Sequence, residues 1–84
     1  ISEDEKKIIK SILNGSEEDK KNLHTEMVRE CVDTIDSKLD ESDINLKGKL
    51  LSAKDKLLRM SYNEETYTSD ISKIYNLKES VETE

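Results

Sequence analysis

His24 and Cys31, each the only residue of its type among 84, are the side chains best suited to nucleophilic or metal chemistry. They lie seven residues apart, about two helical turns, so they can share one face of a helix. A Cys–His nucleophilic pair needs hydrogen-bond reach of about 3 Å, which two turns do not provide. A zinc site would need more ligands of the Cys or His kind. One copy of this chain has a single Cys and a single His, so only a symmetric dimer would bring together four such ligands. Cys31 stands among Met27, Val28, Val32 and Ile35, which points instead to a small buried apolar residue. His24 flanks that stripe and is expected at the surface or its boundary.

The carboxylates Asp33, Asp36, Asp40, Glu41 and Asp43 form the densest acidic run, with Lys38 the one cation inside it. A calcium loop of the EF-hand type needs alternating ligands, a Gly at its sixth position and a terminal Glu, and this run has neither the alternation nor the Gly. Acid–base catalysis by paired carboxylates needs a pocket that drives their pKa values apart, and the sequence frames none. What remains is a charged ridge. Asp33, Asp36 and Asp40 recur at steps of three and four, so one helical face presents them to solvent or to a basic partner. Tyr62, in a polar break, is a further anchor for a protein partner. Asn14-Gly15-Ser16 matches the glycosylation sequon. The same three residues also suit a helix–turn–helix junction, with a Gly stop followed by a Ser cap.

Four helices must position these groups. Ser2 with Glu5 reads as a capping box, and Ile8, Ile9, Ile12 and Leu13 follow before Gly15 stops the first helix after about three turns. Ser16 caps a second helix with Glu17, Glu18 and Asp19 in its first turn, where negative charge suits the helix dipole. Its apolar stripe runs Leu23, Met27, Val28, Cys31, Val32, Ile35 and Leu39, about 35 Å if continuous over 17–39. The third helix begins between Asp43 and Lys49, with Gly48 weakening its first turn. It carries Leu46, Leu50, Ala53, Leu57 and Met60, flanked by Leu51 and Leu58, a face broad enough to sit at the centre of a bundle. Ser61 with Glu64, or alternatively Asn63, caps the last helix, which carries Tyr67, Ile71, Ile74, Leu77 and Val81. Tyr67 and Tyr75 belong at the core edge. Oppositely charged residues four apart (Glu3–Lys7, Glu17–Lys21, Arg29–Asp33 and Asp55–Arg59) support the scheme.

Periodicity near 3.6 throughout, with no alternating stretch, predicts an all-α fold. Short connections favour a small antiparallel bundle of four helices, three long and one short at the N-terminus, forming a single domain over 1–84. The expected core is Ile9, Ile12, Leu13, Met27, Cys31, Ile35, Leu50, Leu57, Ile71 and Ile74. Hydrophobic residues make up 32% and charged ones 40%, so the core is small. The stretch Leu50-Leu51-Ser52-Ala53-Lys54-Asp55-Lys56-Leu57 resembles helices of small helical bacteriocin-immunity proteins over eight residues of a common amphipathic pattern, and no residue role follows from it.

The net charge of −6 disfavours direct nucleic-acid binding, which concentrates Lys and Arg on one face, and docking on an anionic membrane. No catalytic constellation, cofactor motif or metal-ligand set stands out, so the expected class is a non-enzymatic protein-binding module: adaptor, inhibitor, immunity or accessory protein. Its partner would be a protein, one with a basic surface suiting the charge. A structural subunit forming homo-oligomers is the alternative, and an acidic mimic of nucleic acid a further one. A lone cysteine cannot form an internal disulfide, which makes the reducing cytoplasm the expected compartment.

Overall fold

Three helices begin where a short polar side chain accepts from the first free backbone N–H groups. Ser2 and Ser16 do so reciprocally, with Glu5 and Asp19 returning bonds of 3.2 Å to the cap backbone. Asp43 Oδ1 accepts from the Leu46 amide at 2.8 Å, which fixes the start of the third helix at Ile44. The computed structural model describes residues 1–83: α1 (Glu3–Asn14), α2 (Glu17–Leu39), α3 (Ile44–Arg59) and α4 (Tyr67–Thr83). Among the described residues there is no strand, and the helices form a small antiparallel bundle. A single 3₁₀ turn, Glu64–Thr66, precedes α4; Asn63 Oδ1 opens it by accepting from the Glu65 amide at 2.9 Å. Of the two caps expected there, Asn63 is therefore the one used.

Gly15 closes α1 by close approach. Its backbone is extended, at φ −75° and ψ 143°, and a Cβ there would stand 2.5 Å from the Ser11 carbonyl oxygen. Only glycine lets the chain turn so tightly from α1 into the Ser16 cap. Gly48, by contrast, faces open space.

The spine of the bundle is α2, which packs on α4, α3 and α1, while α1 also touches α4. The expectation that α3 lies at the centre is therefore overturned. On α3 only Leu50 and Leu57 are fully buried, and Leu51 and Leu58 are 53% and 63% exposed. Met27, Cys31 and Ile35 of α2 and Tyr67, Ile71 and Ile74 of α4 fill the middle of the core.

Helix α1 is also rotated from the expected orientation. Ile9 and Leu13 face solvent, at 47% and 72% exposure, and Ile8 and Ser11 are buried in their place. The reason is polar. Ser11 Oγ donates to the Ile8 carbonyl at 2.7 Å, which leaves it to accept from the Tyr67 hydroxyl at 2.6 Å. A buried tyrosine hydroxyl needs such a partner. Asp4, on the same side of α1, meets Lys78 of α4 at 2.7 Å.

Overall extents of 42 × 27 × 16 Å describe a flattened molecule. Its radius of gyration of 13.3 Å exceeds the roughly 12 Å expected for a compact chain of this length. A thin bundle has much surface for its volume, consistent with six large apolar side chains standing exposed among the described residues.

Candidate functional surfaces

The acidic ridge lies where the periodicity puts it, on the outer face of α2. Asp33, Asp36 and Asp40 are exposed at steps of three and four. Two of the five carboxylates serve the fold. Asp36 is held by Lys54 of α3 at 2.7 Å, pinning α3 to α2, and Asp43 caps α3. Asp33, Asp40 and Glu41 complete the exposed acidic surface.

Tyr62 does not join them. Its ring packs against His24, edge to face at a centroid distance of 6.1 Å, and against Tyr67 at 5.9 Å. His24 precedes Asp40 by sixteen residues on α2, about 24 Å along the axis. The tyrosine and the ridge are therefore two surfaces at opposite ends of one helix. Lys21 lies over the Tyr62 ring and Lys20 over the Tyr67 ring, each ammonium 5.8 Å from the centroid, a cation–π geometry.

His24 is buried, at 3% exposure, rather than at the surface. With Lys21, Thr25, Val28, Leu58 and Tyr62 it lines a cleft of about 350 Å³ between α2 and the end of α3. Within that wall the His24 Nε2 and the Tyr62 hydroxyl are both shielded from solvent, and neither has a hydrogen-bond partner among the described residues. Burial lowers the His24 pKa below 6.5, against the opposing pull of Asp70, and burial raises that of the Tyr62 phenol.

A pH dependence follows. With the native pKa depressed, the unfolded chain binds the imidazole proton below about pH 6.5 while the folded chain resists it. Stability is then lost as pH falls through that value and is retained above it. His24→Leu should flatten this loss: urea midpoints compared at pH 7.5 and 5.5 should draw together in the variant. Equal pH slopes in the two proteins would place the imidazole in water.

Cys31 is fully buried, and burial pushes its thiol up to about 11, with Lys78 and Glu82 exerting smaller, opposing effects. The thiolate, which is the reactive form, is scarce at neutral pH. A thiol reagent should label native protein slowly and urea-unfolded protein fast; rapid native labelling would mean that the α2–α4 seam opens readily. Among the described residues, no three His, Cys, Asp or Glu side chains are grouped so as to hold a metal ion. Nor is any helix among them long and apolar enough to cross a membrane.

Two features escaped the sequence reading. Lys78 gathers Asp4 of α1 at 2.7 Å, Glu30 of α2 at 3.3 Å and Glu82 of α4 at 3.9 Å. Asp4 is 74 positions from it in sequence, beyond any local pattern. The other is a line of exposed apolar side chains on α3, Ile44, Leu51 and Leu58, at 85%, 53% and 63% exposure. Their spacing of seven was legible, but the broad stripe beside them led the reading to place Leu51 and Leu58 at the flanks of the core.

No family model, no curated protein and no solved structure matches this chain.

Proposed function

We propose that this protein is a non-enzymatic helical module that binds another protein through its surface, as an adaptor, inhibitor, immunity or accessory protein does. The observation that carries this reading is the exposed apolar line on α3. In a chain whose hydrophobic share is only 32%, three large aliphatic side chains in register face solvent instead of the thin core. Apolar surface rimmed by charge is the ordinary mark of a protein-contacting face. The exposed carboxylates Asp33, Asp40 and Glu41 would add electrostatic steering toward a partner with basic groups, chiefly by raising the association rate.

Reconstitution tests the reading. Proteins recovered with the tagged chain from its own cells are purified and remixed with it, and complex formation is followed by light scattering. A stable complex of defined stoichiometry is expected. A homo-oligomer that takes up no second protein would favour a structural subunit, a reading for which the exposed Ile9 and Leu13 on α1 give some ground.

A further inference from the structure

We infer that the cleft between α2 and the end of α3 is a binding site for a small uncharged alcohol or phenol, an apolar body carrying one hydroxyl. Such a site is independent of the protein-binding reading, and two polar atoms left unpartnered by the fold point to it. His24 is 3% exposed, and its Nε2 is shut off from water with no hydrogen-bond partner among the described residues. The hydroxyl of Tyr62, whose ring meets the imidazole edge to face, is in the same condition. Buried polar atoms in folded chains are almost always bonded, because one without a partner costs its full desolvation. The deeper phenol of Tyr67 obeys that rule through Ser11, at 2.6 Å. Among the described residues the want of a partner is confined to two residues that line one cleft.

The other walls define the body of the ligand. Val28, Leu57, Leu58 and Met60 are apolar, and a volume of about 350 Å³ lies at the small end of ligand pockets, which span roughly 300–1,000 Å³. Apolar walls with a few polar groups are the ordinary make-up of such a pocket.

The ligand's polar group follows from the atoms it meets. A phenol both donates and accepts, while a neutral imidazole Nε2 does one or the other according to tautomer. A hydroxyl does both and so answers either tautomer, whereas a carbonyl or carboxylate only accepts. Charge disfavours ions of both signs. Burial holds the His24 pKa below 6.5, so the imidazole is neutral at pH 7.5. Lys21, its ammonium 5.8 Å from the centre of the Tyr62 ring, opposes a cation. Glu17 and Glu64, whose charges reach the Tyr62 phenol, oppose an anion. Tyr62 also supplies the way in. It lies between α3 and the 3₁₀ turn, outside any helix, and its ring is held by side-chain contacts to His24, Tyr67 and Lys21. A turn of that ring brings both polar atoms to the cleft without breaking a helical hydrogen bond.

The test is an NMR titration of the isotope-labelled full chain at pH 7.5 with 4-methylphenol and with toluene, the same body without the hydroxyl. Expected is saturable binding of 4-methylphenol that shifts the signals of Val28, Leu57 and Tyr62 and the His24 Nε2 resonance, with toluene at least tenfold weaker. His24→Phe and Tyr62→Phe each remove one polar atom and keep a ring, and each should bring the two affinities severalfold closer. Tyr62→Phe deletes only an unbonded hydroxyl and should melt no lower than wild type. If His24→Phe does not fold, Tyr62→Phe carries the comparison alone. Equal affinities of the two probes for wild type would overturn the role of the hydroxyl and leave an apolar cleft. Shifts that miss the cleft, or no saturable shift with 4-methylphenol, would overturn the site. Tighter binding of phenylacetate or benzylamine would overturn the uncharged class. A Tyr62→Phe protein that melts several degrees lower would show that the phenol already has a partner, and would overturn the site's premise.

Discussion

Leu57→Ala is expected to lower the melting temperature by at least 10 °C, whereas Leu58→Ala, one residue further along, leaves it nearly unchanged. Leu57 is 2% exposed and Leu58 63% exposed, so the pair reports the register of α3 directly. Truncating a buried leucine removes transfer energy and leaves a void, together about 2–5 kcal/mol. A chain of 84 residues has roughly 4–13 kcal/mol in total, and 1 kcal/mol shifts the midpoint of such a domain by about 4–8 °C. Leu57 borders clefts on both sides of α3, so its neighbours have some freedom to close over the void. That sets the expectation at the middle of the range and not its top. An exposed leucine costs within about 0.5 kcal/mol when shortened. Calorimetry on both variants is decisive: equal shifts would mean that α3 is turned differently on α2.

The second large effect is expected at Lys78. Lys78→Met keeps the aliphatic stem and removes the ammonium, leaving Asp4 and Glu30 without the group that ties α1 and α2 to α4. The lysine side chain is 16% exposed and Asp4 23%, so water compensates the lost partner only in part. Removing one member of a shielded ion pair strands the other, and a loss of about 1–3 kcal/mol is expected after allowance for that residual exposure. Adding Asp4→Asn should recover part of it, because the stranded carboxylate is then gone. The hydrogen bond from Lys78 to Asp4, with the attraction of Glu30, drives the lysine pKa upward. The contribution is therefore fully present below the unfolded value of about 10.5 and is lost only as pH rises beyond it. A denaturation midpoint for Lys78→Met equal to wild type, with no response to Asp4→Asn, would reduce this cluster to a surface decoration.

Why the sequence disclosed some of this and not the rest follows from the range of each interaction. Caps such as Ser2–Glu5 and Ser16–Asp19 act over three residues, and the four helices were accordingly legible. Stripes reveal which residues are apolar, but the choice between Ile8 and Ile9 on α1 depends on where Tyr67 offers its hydroxyl, 56 positions away. A serine on the inward line has no apolar signature. His24 went inward for a related reason: its ring meets Tyr62, which in turn packs on Tyr67, and a pattern confined to α2 contains neither. The acidic ridge was legible as a run of charge and the Asp43 cap acts within three residues, whereas the diversion of Asp36 to Lys54 depended on where α3 would lie.

Helix α3 carries Lys47, Lys49, Lys54, Lys56 and Arg59 against the single carboxylate Asp55, so the sign of this molecule's charge depends on the distance from which it is met. From afar, or on an ion exchanger averaging over the whole surface, it is an anion of −6. Mobile ions, however, confine each group's field to about 8 Å at physiological ionic strength, and the molecule is 42 Å long. A visitor arriving beside Lys47 or Lys56 therefore senses a cation, with most of the opposing carboxylates beyond its electrical horizon. Lowering the salt lengthens that horizon until the anionic majority is felt too, so dilute buffer need not favour an acidic visitor in the way that simple attraction would suggest.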